Sequence, residues 1–172
     1  NQLRLDDIQE IGLSDKEFEK TRLKIGDLLI VEGNGSLDQI GRVAIWRGEI
    51  DDCSHQNHLI RWRSSGRVLP DFALYFLMSP SGRSQIVDVA SSTTGLHTLS
   101  VTKVGALQLP VPPLAEQHEI VRRIESLFAF ADRLEARLTA AQTAAEQLTP
   151  ALLAKAFRGE LVPQDPADAP AS

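Results

Sequence analysis

Residues 120–152 read IVRRIESLFAFADRLEARLTAAQTAAEQLTPAL, and this stretch decides the architecture. Its apolar positions fall at Ile120, Ile124, Leu127, Ala131, Leu134, Leu138, Ala141, Ala145, Leu148 and Leu152. The steps alternate between four and three without a miss, a heptad seam of about four and a half repeats. Such a seam belongs to a helix that packs along another helix. A helix from Ala115 to Leu148 is about 50 Å long at ~1.5 Å per residue. One domain of this size cannot bury it, so the seam calls for a second helix. Alanine at Ala131, Ala141 and Ala145 lets that partner approach closely, while Phe128 and Phe130 flank the seam and widen it. Thr149-Pro150 is expected to end or kink the helix, with Thr149 capping a final short turn. The tail, 163–172, is rich in alanine, proline and aspartate and reads as disordered.

Upstream of the helix the sequence changes character. Ser14-Asp15-Lys16-Glu17 is a capping-box pattern, so a short helix is expected from Ser14 toward Lys20. Leu28-Leu29-Ile30-Val31 reads as a buried strand, and Gly33-Asn34-Gly35-Ser36 as a tight turn or loop. Arg42 to Trp46 and His58 to Trp62 are two further strands across the Gly48–Asn57 loop. Phe72 to Met78 is helical by pattern. Ser79-Pro80 supplies an N-cap and an N1 proline for another helix toward Ala90. Ser91 to Leu96 reads as a polar loop, and Ala106 to Val111 as a last strand closed off by Pro110, Pro112 and Pro113. The fold class is therefore α+β: a compact mixed domain over 1–112, then a long coiled-coil-forming helix over 113–162. Nothing that resembles a strand or cap introduces Asn1, and the opening part of the domain is expected to precede it.

Composition narrows the function. Within 172 residues no apolar run approaches the eighteen or so residues that a membrane span needs. The single cysteine, Cys53, cannot form an internal disulfide, which fits a reducing cytoplasm. A formal net charge of −5 is unusual for a nucleic-acid binder that works alone. The charge is uneven, however. Between Cys53 and Pro112, Arg61, Arg63, Arg67, Arg83 and Lys103 stand against Asp71 and Asp88, which allows a locally basic surface.

Signatures of catalysis fail one by one. Cys53, His55 and His58 invite a zinc site, but their spacing fits no common four-ligand set and no second ligand pair follows. Gly33-Asn34-Gly35 lacks the Gly-Lys-Ser/Thr of a phosphate-cradling loop and does not match the dinucleotide fingerprint. Pro70-Asp71 has no Glu-x-Lys partner downstream, so a metal-dependent nuclease core is not supported. No Asn/Asp-Pro-Pro-aromatic motif for adenine methylation occurs, and no nucleophile elbow frames a serine. A non-catalytic chain is expected, with no metal and no cofactor of its own.

Several blocks, taken in order, resemble the DNA-specificity subunit of type I restriction–modification enzymes. Gly26-Asp27-Leu28-Leu29-Ile30 is similar to the family's strand leading into a polar recognition loop, here Glu32 to Gln39. Ile40-Gly41-Arg42-Val43-Ala44 and Gln56-Asn57-His58-Leu59-Ile60-Arg61 resemble the paired strands that follow. Thr94-Gly95-Leu96-His97-Thr98-Leu99-Ser100 resembles the loop before the domain closes. Leu109-Pro110-Val111-Pro112-Pro113-Leu114-Ala115-Glu116-Gln117 looks like the opening of the family's long helix. Ala156-Phe157-Arg158-Gly159-Glu160-Leu161 looks like its usual end. The resemblance spans roughly Lys24 to Asp165. The usual subunit carries two recognition domains and two long helices, and here there is one of each.

The resemblance implies a division of labour. One target recognition domain reads half of a split double-stranded DNA site, and antiparallel pairing with a second specificity half, or with a second copy, sets the unread gap. Modification subunits methylate adenine with S-adenosylmethionine, and a restriction motor subunit joins for cleavage. Base readout is expected on Asn34 and Gln39 and, across the Ser54–Asn57 loop with His55, on Gln56 and Asn57. These amides can present paired donors and acceptors to adenine, and Arg42 can reach guanine. Ser36, Thr93, Thr94, His97 and Lys103 suit contacts to the DNA backbone. The competing reading is a coiled-coil adaptor that binds proteins and no DNA.

Overall fold

A computed structural model describes residues 3–93 and 95–161, with Ser92 and Thr93 described through their backbone alone. The chain divides into two compact units, Asn1–Arg123 and Ile124–Ser172.

The first unit is built around β1 (Leu28–Val31). It is the central strand of a three-stranded antiparallel sheet, flanked by β3 (Val43–Ile45) and β4 (Leu59–Trp62). The register pairs Leu28 with Ile45 and Trp62, and Ile30 with Val43 and Ile60. Side chains alternate across a strand, so Leu28 and Ile30 share one face and Leu29 takes the other. Leu28 and Ile30 enter the main core with Ile40, Leu74, Leu77, Ile86 and Leu99. Leu29 enters a smaller one with Leu23 and Trp46. Both faces are covered, which is why the strand reads as an unbroken apolar run rather than an alternation.

Two helices cover the main core. α2 (Pro70–Met78) and α3 (Pro80–Val89) meet at Ser79, whose hydroxyl donates to the Phe76 carbonyl at 2.7 Å and accepts from Gly82 N–H at 3.2 Å. The corner is tight enough to require glycine: a Cβ on Gly82 would lie 2.1 Å from the Phe76 carbonyl oxygen. α1 (Asp15–Thr21) begins with the expected capping box between Ser14 and Glu17.

Beyond β1 the chain departs from expectation. Gly33 and Asn34 form a short strand, β2, and the turn comes only after it. The segment expected as a polar loop is a hairpin, β5 (Ser91–Thr93) and β6 (Leu96–Thr98), and it joins β2 in a second sheet of order β2-β6-β5. A hairpin of serine, threonine and glycine has no apolar alternation to announce it. A further short helix, α4 (Val101–Gly105), follows. The expected strand Ala106 to Val111 is not one. Leu107 and Leu109 do pack on the core, but the backbone of Gln108 bonds to a side chain. Its N–H donates to Gln85 Oε1 at 2.7 Å and its carbonyl accepts from Gln85 Nε2 at 3.1 Å.

α5 (Leu114–Phe157) is a helix of 44 residues. It does not end at Pro150. Alanines, leucines and a lysine, all strong helix formers, carry it past the missing N–H. It ends at Gly159, whose φ of 69° is left-handed. Glu160 N–H bonds the Lys155 carbonyl and Gly159 N–H bonds that of Ala156, the paired bonds of a glycine-stopped helix. In the second unit every helical position from Glu125 to Phe157 is exposed. Leu127, Leu134, Leu138, Leu148 and Leu152 are therefore uncovered. The expected disordered tail, 163–172, lies outside the described residues.

Candidate nucleic-acid interface

β3 and β4 each run antiparallel to β1. The Val31 end of β1 therefore borders the beginnings of both neighbours. Backbone hydrogen bonds close this end: Val31 N–H to Arg42 O at 2.9 Å, Gly41 N–H to Val31 O at 3.1 Å, and Glu32 N–H to His58 O at 3.1 Å. Leu99 N–H then reaches Glu32 O at 2.7 Å and brings the β5–β6 hairpin to the same place. Three segments thus issue from one end of the sheet. They carry Asn34, Gln39 and Arg42 on the first, Gln56 and Asn57 on the second, and His97 on the third.

Each candidate side chain has a distinct setting. In the second sheet Asn34 stands opposite His97, and His97 opposite Ser92, so the three form one row across the strands. Asn34 Oδ1 accepts from Ser36 N–H at 3.0 Å, which turns the chain out of β2. Ser36 Oγ donates to the Asp38 carboxylate, and Gln39 Nε2 donates to Asp38 Oδ2 at 2.8 Å. These contacts, Ser36 first and then Gln39, hold the Asp38 carboxyl below its ordinary range. Arg42 is exposed and lines a cleft of about 380 Å³ together with Gln39, Arg83, Leu77 and Met78.

Gln56 and Asn57 are exposed, whereas His55 is half-buried. His55 N–H donates to Thr21 O at 3.1 Å, and its Nδ1 lies 3.1 Å from Gln56 O. Lys103 is turned inward, its ammonium donating to Ser91 Oγ and, at 3.4 Å, to the Thr98 carbonyl. Lys103 thereby ties β5 to β6. Thr93 pairs with Leu96 through the backbone, and Thr94 lies outside the described residues. Burial first, then the Glu49 charge, pushes the Cys53 thiol up. Among the described residues no group of three or more His, Cys, Asp or Glu is placed to hold a metal ion.

Two further interactions fix the frame without a local sequence signal, Arg83 at the Val31 end of β1 and Asp27 at the opposite end, next to Leu28. Arg83, counted above only as a positive charge, donates to the carbonyls of Ile40 at 2.7 Å, Asp38 at 3.2 Å and Leu37 at 3.3 Å. Asp27 is fully buried beneath a two-pronged pair with Arg63, both contacts 2.6 Å, and also accepts from Lys24 N–H at 2.8 Å. Burial alone would raise the Asp27 carboxyl. The Arg63 and Lys24 hydrogen bonds, with the Arg63 and Arg61 charges, outweigh it and hold the carboxyl below its usual value.

Of the seam residues, Ile120 and Ile124 are half-buried and all those from Leu127 on are exposed. No described helix is long and apolar enough to cross a membrane.

Polar segments thus gather at one end of the first sheet, and the long helix carries exposed apolar residues at its heptad positions. The chain matches the type I restriction modification DNA specificity domain over residues 7–141, most of its length, and it belongs to that family. It is 38% identical over 163 residues to the StySPI specificity subunit of a type I restriction enzyme from Salmonella potsdam, covering 94% of this chain and 35% of that protein. Against the EcoKI specificity subunit of Escherichia coli K12 the identity is 37% over 169 residues, covering 95% and 36%. A putative MjaX specificity subunit from Methanocaldococcus jannaschii is 29% identical over 121 residues, 67% of this chain and 28% of that protein. The chain thus spans about a third of the length of these relatives. The match to a DNA specificity domain weighs against the adaptor reading.

Proposed function

We propose that this chain is a DNA target-reading half of a type I specificity subunit, non-catalytic itself, which directs a partner methyltransferase to one half of a split site. The observation that carries the reading is the convergence of three polar segments at the Val31 end of the first sheet. Asn34, Gln39, Gln56 and Asn57 carry amides that can pair bidentately with adenine, and the Arg42 guanidinium can pair with guanine. In this reading α5 pairs antiparallel with a second helix through its uncovered seam, and the length of the pair sets the unread gap. Partner modification subunits supply S-adenosylmethionine chemistry and much of the phosphate contact, which reconciles DNA binding with a net charge of −5. A motor subunit joins for cleavage, and the assembly works in the cytoplasm.

Methylation mapping of the assembled enzyme separates the two roles. Asn34→Ala or Gln56→Ala removes a group able to pair with a base edge, so discrimination falls by about 1–3 kcal/mol at one base while the gap stays unchanged. Inserting seven residues after Leu138, matched in the partner helix, preserves the seam and lengthens it by about 10 Å. That is roughly three base pairs at ~3.4 Å each, so the gap lengthens while the half-sites keep their sequence. Loop variants with unaltered target choice, or an insertion that changes the half-site bases, would refute the assignment.

A further inference from the structure

The loop between β2 and β3 is held in shape by a residue that lies 43 positions further along the chain. Within the loop the backbone is closed by three bonds, Gln39 N–H and Ile40 N–H to Ser36 O and Arg42 N–H to Gln39 O. The carbonyls of Leu37, Asp38 and Ile40 point instead to the half-buried guanidinium of Arg83, at 3.3, 3.2 and 2.7 Å. One turn further along α3, Ile86 packs where Gly41 bends with a φ of 64°. A Cβ there would meet Ile86 Cγ2 at 2.5 Å. Arg83 and Ile86 are thus two fixed points on one helix, and that helix is seated by the Ser79 cap and by Gly82 against α2. Gln39 lies between two of the carbonyls that Arg83 grips, and Arg42 stands two residues beyond the last of them.

We propose that Arg83 is a positioning residue for target specificity, acting through the 37–40 backbone to set where Gln39 and Arg42 meet a base edge. The assignment rests on the DNA-reading function proposed above. A flat guanidinium reaches three spread carbonyls at once, whereas a lysine ammonium is a point donor on a flexible stem. Charge alone is therefore not enough.

The test compares wild type with Arg83→Lys, Arg83→Gln and Arg83→Ala in the assembled methyltransferase, using a duplex library randomised one base at a time across the mapped target. Melting temperature and salt dependence are read beside it. Arg83→Lys is expected to fold and methylate, yet to lose about tenfold discrimination or more at one or two adjacent bases, the scale of one bidentate base contact. Discrimination at the remaining bases stays intact. If Arg83→Ala does not fold, the Lys and Gln variants carry the same comparison. Unchanged discrimination at every base in a folded variant overturns the proposal. So does a uniform loss at all bases with a shallower salt dependence, since that marks a phosphate contact. A wild-type assembly with no sequence preference removes the underlying DNA-reading function instead.

Discussion

The side-chain carbonyl of Gln117 accepts the backbone N–H of Leu69 at 2.8 Å, joining the first turn of α5 to the residue before α2. The same amide donates to Pro112 O at 2.8 Å and Arg67 O at 3.1 Å, and Gln117 has no solvent exposure. A buried amide with its carbonyl and amino groups satisfied is a fixed joint, because each bond is costly to leave unmade. Gln117→Ala strands one N–H and two carbonyls at once. We expect a loss of about 2–4 kcal/mol, seen as a lower urea midpoint with unchanged slope. A midpoint shift near zero would mean that water replaces the amide.

The Asp27–Arg63 pair gives a pH signature. Asp27 is held below its ordinary value of 3.8, so its contribution is complete above that pH and is lost as acid titrates it through its lower folded value. In Arg63→Met the burial remains while the main partner is gone, and the carboxyl moves upward from its wild-type value although the Lys24 N–H and the Arg61 charge still act on it. That variant is least stable near neutrality, by about 2–3 kcal/mol when the partial exposure of Arg63 is discounted. It recovers relative to wild type as pH falls toward 4. Unfolding midpoints of both proteins between pH 7 and 4 check this, and a difference independent of pH counts against it.

Gly82→Ala places a methyl 2.1 Å from Phe76 O and 2.8 Å from Leu77 Cα, both backbone atoms that cannot swing aside. A cost above about 3 kcal/mol follows. Gly105→Ala, at the end of α4 with nothing within 4 Å of the new methyl, is the control. Its expected effect is neutral, or stabilising by about 0.4–1 kcal/mol. Calorimetry that ranks the two the other way contradicts the packing at Ser79.

Leu134, at the middle of the seam, is 46% exposed in the single chain. If the seam pairs, Leu134→Asp buries an unpaired charge and dissociates the pair. Sedimentation is expected to show a dimer for the wild-type chain and a monomer for the variant. A wild-type monomer at high micromolar concentration with a fully helical α5 rules out self-pairing.

Local signals were legible wherever they were strong. The run Leu28–Val31, the Ser14 capping box and the Ser79-Pro80 start each produced the expected element. Gly159 was visible only as part of a family block, and Pro150 outweighed it as a stop signal although neighbouring helix formers override one missing hydrogen bond. The hairpin Ser91–Thr98 left no apolar periodicity, because its sequence is serine, threonine, glycine and histidine with a single leucine. Polar, glycine-bearing loops flagged Asn34, Gln39 and Gln56. The fixing roles of Arg83 and Gln117 depend on carbonyls 43 to 50 residues away, and no window of sequence contains both ends.

Because β3 and β4 run parallel to each other, the connection between them must travel the full length of the sheet. It is fastened on the way by main-chain bonds: Trp46 O to Gly26 N–H, Cys53 O to Leu23 N–H, His55 N–H to Thr21 O, and His58 O to Glu32 N–H. Such fastenings are indifferent to which side chains the segment displays. Gln56 and Asn57 stand exposed between them, so their identities can drift without unsettling the frame. On the DNA-reading function proposed above, what this segment displays is held apart from what keeps it folded.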